Sequence, residues 1–230
     1  MPRLARDEGI VLATQDFAET DCIVTLLTAT RGKLPLLAKG ARRLTTPFGA
    51  ILDPLNRVEV IYYKRQGLRL LREASLVEHL PALRGDLERL EMALAGVRLA
   101  ARLVAEGEES SGPYKALLDL LRELAQGLPL RTGWLAYVLK MLHAVGHQPH
   151  LTGCVRCGAG EELTWSPERG GLLCRRCGGR GEGLPAPLWR SLAALQRLPL
   201  AHSARVRMRA EHVDQATVLL EAFADYQMRR

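Results

Sequence analysis

Four cysteines, Cys154, Cys157, Cys174 and Cys177, form a C-x2-C-x16-C-x2-C pattern. Each C-x-x-C can close a tight turn that aims two thiolates at one ion, and two such turns complete a tetrahedral shell. Gly158 follows the first pair, and Gly178 and Gly179 follow the second, where such turns need backbone freedom. The spacing predicts one zinc ion. Four thiolates leave no open position for water or substrate, so the expected ion is a structural staple and not a reagent. Two disulfides are the rival arrangement. It is disfavoured by the lack of a secretory signal at the start of the chain and by Cys22, which is left as an odd thiol. A redox C-x-x-C would sit in a βαβ unit, and the pattern of the chain shows none.

The second chemical feature is charge. The 230 residues carry a net +7, with a pI near 9.5. Between Arg31 and Arg72 lie Arg31, Lys33, Lys39, Arg42, Arg43, Arg57, Lys64, Arg65, Arg69 and Arg72, opposed only by Asp53 and Glu59. That stretch alone sums to +8, more than the whole chain, so the basic character belongs to one module. A dense block of one sign points to an anionic polymer, whereas a merely solvated face would be more mixed. The sharpest cluster is Lys39-Gly40-Ala41-Arg42-Arg43, in which glycine allows close backbone approach and the cations can contact phosphate. Tyr62 and Tyr63 adjoin Lys64 and Arg65. On alternating strand faces one ring points outward if the other points in. An exposed ring among these cations could stack on a base; the alternative is that both rings pack against the helical domain.

Other constellations are weaker. His143, His147 and His150 resemble a helical metal pair, but Gly146 and Pro149 break the helix, and no H-E-x-x-H completes it. Polar or capping roles are expected for them. No G-x-x-x-x-G-K-[ST], G-x-S-x-G or G-x-G-x-x-G motif is present. Asp86 and Glu88 sit near a helix start, where they favour the helix dipole. Cys22 as a nucleophile would need a base, and it reads better as a core strand residue.

The elements that must position these groups fall into two styles, giving an α+β chain. Gly9–Thr14, Cys22–Thr28, Leu34–Ala38, Arg57–Tyr63 and Leu68–Arg72 read as five short strands with glycine turns, which suggests a small closed barrel. The stretch from Gly40 to Pro54 lacks a period and reads as a loop. From Leu83 to Val104 apolar residues recur every three or four positions. Further helices are expected from Pro113 to Gly127, from Thr132 to Val145, from Pro187 to Arg197 and from Glu211 to Met228. The expected domains are 1–80, a basic barrel suited to an anionic polymer; 81–150 with 184–230, a helical domain; and 151–183, a zinc-binding segment between its two parts. No apolar run approaches the length of a membrane span, and a cytoplasmic location is expected.

The order of features resembles the bacterial RecO family of DNA repair proteins. The matching stretches are Gly9-Ile10-Val11-Leu12, the run Glu19 to Thr28, Gly32-Lys33-Leu34 and Ala38 to Arg43. They continue with Leu83 to Leu87, Gly146-His147-Gln148-Pro149 leading into Cys154 to Gly158, and Gly170 to Cys174. The resemblance implies an N-terminal five-stranded OB-fold, a helical domain and a zinc-finger-like insert built on the four cysteines. It implies a non-enzymatic recombination mediator that binds single- and double-stranded DNA, anneals complementary strands and, with RecR, helps RecA displace single-strand-binding protein. Such a protein would be associated with the nucleoid. The family's basic segment lands on Lys33, Lys39, Arg42 and Arg43. With the rest of the module, the candidate DNA contacts are Arg31, Lys33, Lys39, Arg42, Arg43, Lys64, Arg65 and Arg69. The alternative is a zinc-containing RNA- or transcription-linked binding module built on the same barrel.

Overall fold

The computed structural model describes residues 3–43, 46, 48–64, 67–107 and 109–229. Five strands close a barrel in the order β1-β2-β3-β5-β4: β1 Arg3–Asp16, β2 Cys22–Thr28, β3 Gly32–Ala38, β4 Arg57–Lys64 and β5 Arg69–Glu78. All neighbours are antiparallel except β3 and β5, which close the ring in parallel through Leu36–Arg69 and Leu37–Leu70. Pro35 has no N–H to offer, and it lies just before that pairing begins. β1 is long enough to serve two partners. Residues 3–10 pair with β4 and residues 9–16 with β2, with a register shift between Val11 and Ala13 that bends the strand.

Alternation builds the interior. Cys22, Val24, Leu26, Leu34, Leu36 and Ala38 point into one core with Val11, Val58, Val60, Tyr62 and Leu71. The aperiodic stretch after β3 contributes Phe48 and Leu52 to the same core. It does so through a short 3-10 turn at Gly49–Leu52. Cys22 is therefore a buried core residue, and burial raises its thiol pKa.

Three helices pack in the same compact unit as the barrel: α1 Pro81–Arg84, α2 Leu87–Leu103 and α3 Gly112–Ala125. Asp86 caps α2, its carboxylate accepting from the Arg89 amide. Four charged groups and a phenol tie α3 to the barrel. Arg57 on β4 reaches Glu8 at 2.9 Å and Glu78 at 3.0 Å, Arg122 on α3 reaches Glu78 at 2.7 Å, and the Tyr114 hydroxyl donates to Glu8.

The second compact unit spans residues 126–230. The division falls inside the stretch expected to be helical. This unit holds α4 Leu130–Ala144, α5 Ala186–Arg197, α6 Ala210–Met228 and a two-stranded sheet of β6 Leu163–Ser166 and β7 Gly171–Cys174. α4 is buried along most of its length, with Leu135, Tyr137, Leu139, Met141 and Leu142 wholly inside. Among the described residues, no helix is long and apolar enough to cross a membrane.

Candidate metal centre and nucleic-acid interface

The four cysteine sulfurs all lie within 4.8 Å of one another. Two backbone knuckles bring them there. In the first, the Gly158 amide donates to the Cys154 carbonyl at 2.8 Å, with Gly158 at φ +74°. In the second, the Gly178 amide donates to the Arg175 carbonyl and the Gly179 amide to the Cys174 carbonyl, with Gly178 at φ +98°. Only glycine takes these left-handed turns without strain. Cys174 ends β7, so the β6–β7 hairpin sets the second knuckle.

The donor set fits a four-coordinate ion. Bonds of about 2.3 Å to a tetrahedral centre put sulfurs about 3.8 Å apart, and Cys157 Sγ lies 3.7 Å from Cys174 Sγ. Ionisation is uneven. Burial opposes it at Cys154, but the amides of Cys174, Arg156 and Cys157 prevail and bring that thiol down to about 6. Neighbouring Cys157 and Cys174 push Cys177 up to about 12. Four thiolates this close need a cation between them. The three histidines lie outside this cluster: His143 Nδ1 is 2.7 Å from Gln148 Oε1, and His150 meets Thr152.

The basic module is less basic in three dimensions than in sequence. Acids from β1 and β5 reach into it. Arg31 pairs with buried Asp7 at 3.5 Å, Arg42 with Asp16 at 3.0 Å, Arg57 with Glu8 and Glu78, and Arg72 with Glu73. Lys33 Nζ donates to the Ala101 carbonyl in the last turn of α2, at 2.8 Å. That carbonyl end carries partial negative charge, which suits an ammonium. Arg65 lies outside the described residues. Among the described residues, Lys39, Arg43, Lys64 and Arg69 have no acidic partner.

Two of these belong to one braced turn. The Arg43 amide donates to the Gly40 carbonyl, and the Arg43 side chain lies over Gly40. The connection between β1 and β2 holds the turn from below. Asp21 Oδ1 accepts from the Gly40 amide at 2.8 Å, and the Thr20 carbonyl accepts from the Arg42 amide at 3.0 Å. Lys39, Arg42 and Arg43 are exposed on top. In barrels of this kind the β1–β2 and β4–β5 connections border the oligonucleotide path. The tyrosine pair divides between the faces: Tyr62 is in the barrel core and Tyr63 is half-exposed.

Sequence reading overlooked Phe17, which is 57% exposed in the β1–β2 connection. The signal was an apolar ring between Asp16 and Glu19, at a turn.

Comparison with known proteins settles the lineage. Residues 1–80 match the family described as Recombination protein O N terminal, and residues 84–230 match Recombination protein O C terminal. This chain belongs to the RecO family. It is 35% identical to the DNA repair protein RecO of Anaeromyxobacter dehalogenans, across 98% of this chain and 92% of that one. It is 37% identical to the RecO of Geobacter metallireducens, across 76% of this chain and 73% of that one. With the RecO of a Nocardioides species the identity is 33%, across 99% and 96%. The RecO resemblance read from short ordered motifs therefore holds over both halves of the chain, and the closed five-stranded barrel, the helical part and the four-cysteine cluster agree with the fold expected from it.

Proposed function

We propose that this protein is a recombination mediator in DNA repair, which binds single- and double-stranded DNA and anneals complementary strands without catalytic chemistry. With RecR it would help RecA displace single-strand-binding protein. The observation that carries the reading is membership of the RecO family over both halves, joined to an exposed basic turn on a closed barrel. Lys39, Arg42 and Arg43 take phosphates at the turn, and Lys64, Arg65 and Arg69 extend the path at the β4–β5 connection. Arg31 and Lys33 support this surface by fixing the β2–β3 hairpin to Asp7 and to α2. Such contacts read charge and not base order.

Annealing follows from electrostatics alone. Two strands repel through their phosphates. A cationic surface that holds both lowers that repulsion and raises their local concentration, and base pairing then proceeds with no bond made or broken. Zinc on Cys154, Cys157, Cys174 and Cys177 would hold together a segment too short to build its own core. The test is a fluorescence annealing assay with purified protein and no nucleotide. Acceleration of pairing supports the reading. Strict dependence on nucleotide hydrolysis would overturn it.

A further inference from the structure

We propose that Phe17 is a base-stacking platform that directs the basic turn toward unpaired DNA strands. The chain has three phenylalanines. Phe48 and Phe223 are 7% and 1% exposed, whereas Phe17 is 57% exposed and takes no part in the barrel core. Its backbone is nonetheless fixed. The amides of Phe17 and Ala18 both donate to the Asp21 carbonyl, at 3.1 and 3.4 Å. The same short loop grips the basic turn through Asp21 to Gly40 and Thr20 to Arg42. Asp16, the residue before Phe17, pairs with Arg42 at 3.0 Å. One braced loop therefore carries the exposed Phe17 ring and grips the turn that bears Lys39, Arg42 and Arg43.

The division of labour follows from the chemistry. The cations suit phosphates. The loop that carries Phe17 is itself acidic: Asp16 pairs with Arg42, Asp21 accepts from the Gly40 amide, and Glu19 is exposed. A phosphate is unwelcome there, and an uncharged π-face is not. Every base offers one, so stacking tolerates any sequence. Bases within a duplex are already stacked on each other and are closed to the ring. Phe17 therefore adds affinity for single strands alone.

The inference rests on the DNA-binding reading of the turn, and the experiment separates the two. Wild type, F17A, F17L, F17W and the triple variant K39A/R42A/R43A are titrated against a labelled single strand, the same strand carrying abasic sites, and a duplex. F17A and F17L should bind the intact strand about tenfold more weakly, within what stacking on one base contributes. Their salt slope should match wild type, since no phosphate contact is lost. On abasic DNA and duplex they should equal wild type. F17W should bind well, with its fluorescence quenched by the intact strand. If F17A binds the intact strand within twofold of wild type while the triple variant is weakened, stacking is wrong and the DNA reading stands. Equal weakening on all three ligands also overturns the proposal, because the ring would then be structural. If wild type binds none of the three, the DNA reading itself fails.

Discussion

Replacing Lys39, Arg42 and Arg43 by alanine one at a time separates free cations from a shared one. On single-stranded DNA each phosphate contact contributes about −0.7 to the slope of log K against log salt. Lys39 and Arg43 have no acidic partner among the described residues, so each variant should flatten the slope by about 0.7. Arg42 already lies 3.0 Å from Asp16, whose carboxylate offsets much of its charge. R42A should flatten the slope by less, and D16N, which releases Arg42, should tighten binding. The triple variant should flatten the slope by about two units at most. Lys33 is the internal control. Its ammonium serves the Ala101 carbonyl, so K33A should leave the slope unchanged and lower stability by about 1 kcal/mol. The assay is fluorescence anisotropy with a labelled oligonucleotide over a salt series, on variants shown to be folded by circular dichroism. A K33A slope change as large as that of K39A, or an unchanged slope in the folded triple variant, would refute the reasoning. In the latter case the DNA path would move toward Arg205, Arg207 and Arg209.

Metal analysis should find one zinc per chain. C174S should lose it, and tryptic cleavage at Arg175 and Arg176 should accelerate while the barrel's thermal transition persists. Glu78 is held below the ordinary carboxylate range, mainly by Arg122 and then by Arg57, and Glu8 likewise, mainly by Arg57. Depressed folded pKa values stabilise above the unfolded value near 4.3, and the gain is lost as pH falls through the folded value. E78Q should therefore cost about 1–2 kcal/mol at pH 7 in denaturant titrations, with the difference closing below about pH 4. Gly171 sits at φ +150°, and a Cβ there would lie 2.3 Å from the His150 carbonyl oxygen. G171A should lower stability by more than about 2 kcal/mol, read as a lower melting temperature of the zinc-bearing unit.

Most elements were legible because they obey one period each. β2 and β3 alternate over their first five residues before a fully buried end, and α2 and α3 repeat every three or four residues. The first half of β1 was missed because Arg3, Arg6 and Glu8 look like a polar leader. Pairing with β4 makes it a strand, and Arg6 finds Glu59 there. The outer half of β5 and the four-residue strands β6 and β7 are too short or too exposed for a pattern to emerge. Ring closure between β3 and β5 is a tertiary event without a local signature. The cysteine cluster was readable because its chemistry dictates its spacing. The charge block was only half readable. A sum along the chain counts cations, but Asp7, Glu8, Asp16 and Glu78 come from outside the block and pair with them only after folding. Phe17 was passed over for a related reason: an apolar ring at an acidic turn acquires meaning only when the fold ties that loop to the basic turn.

The most direct test of a DNA path over the 39–43 turn is position-specific photo-crosslinking. A photoreactive phenylalanine analogue is placed at position 39, at position 43, or at Val218, an exposed position on α6, and each protein is irradiated with a labelled single strand. The account predicts strong crosslinks from 39 and 43 that fade with added salt, and little from 218. Crosslinks from 218 equal to or above those from 39 and 43 would contradict it.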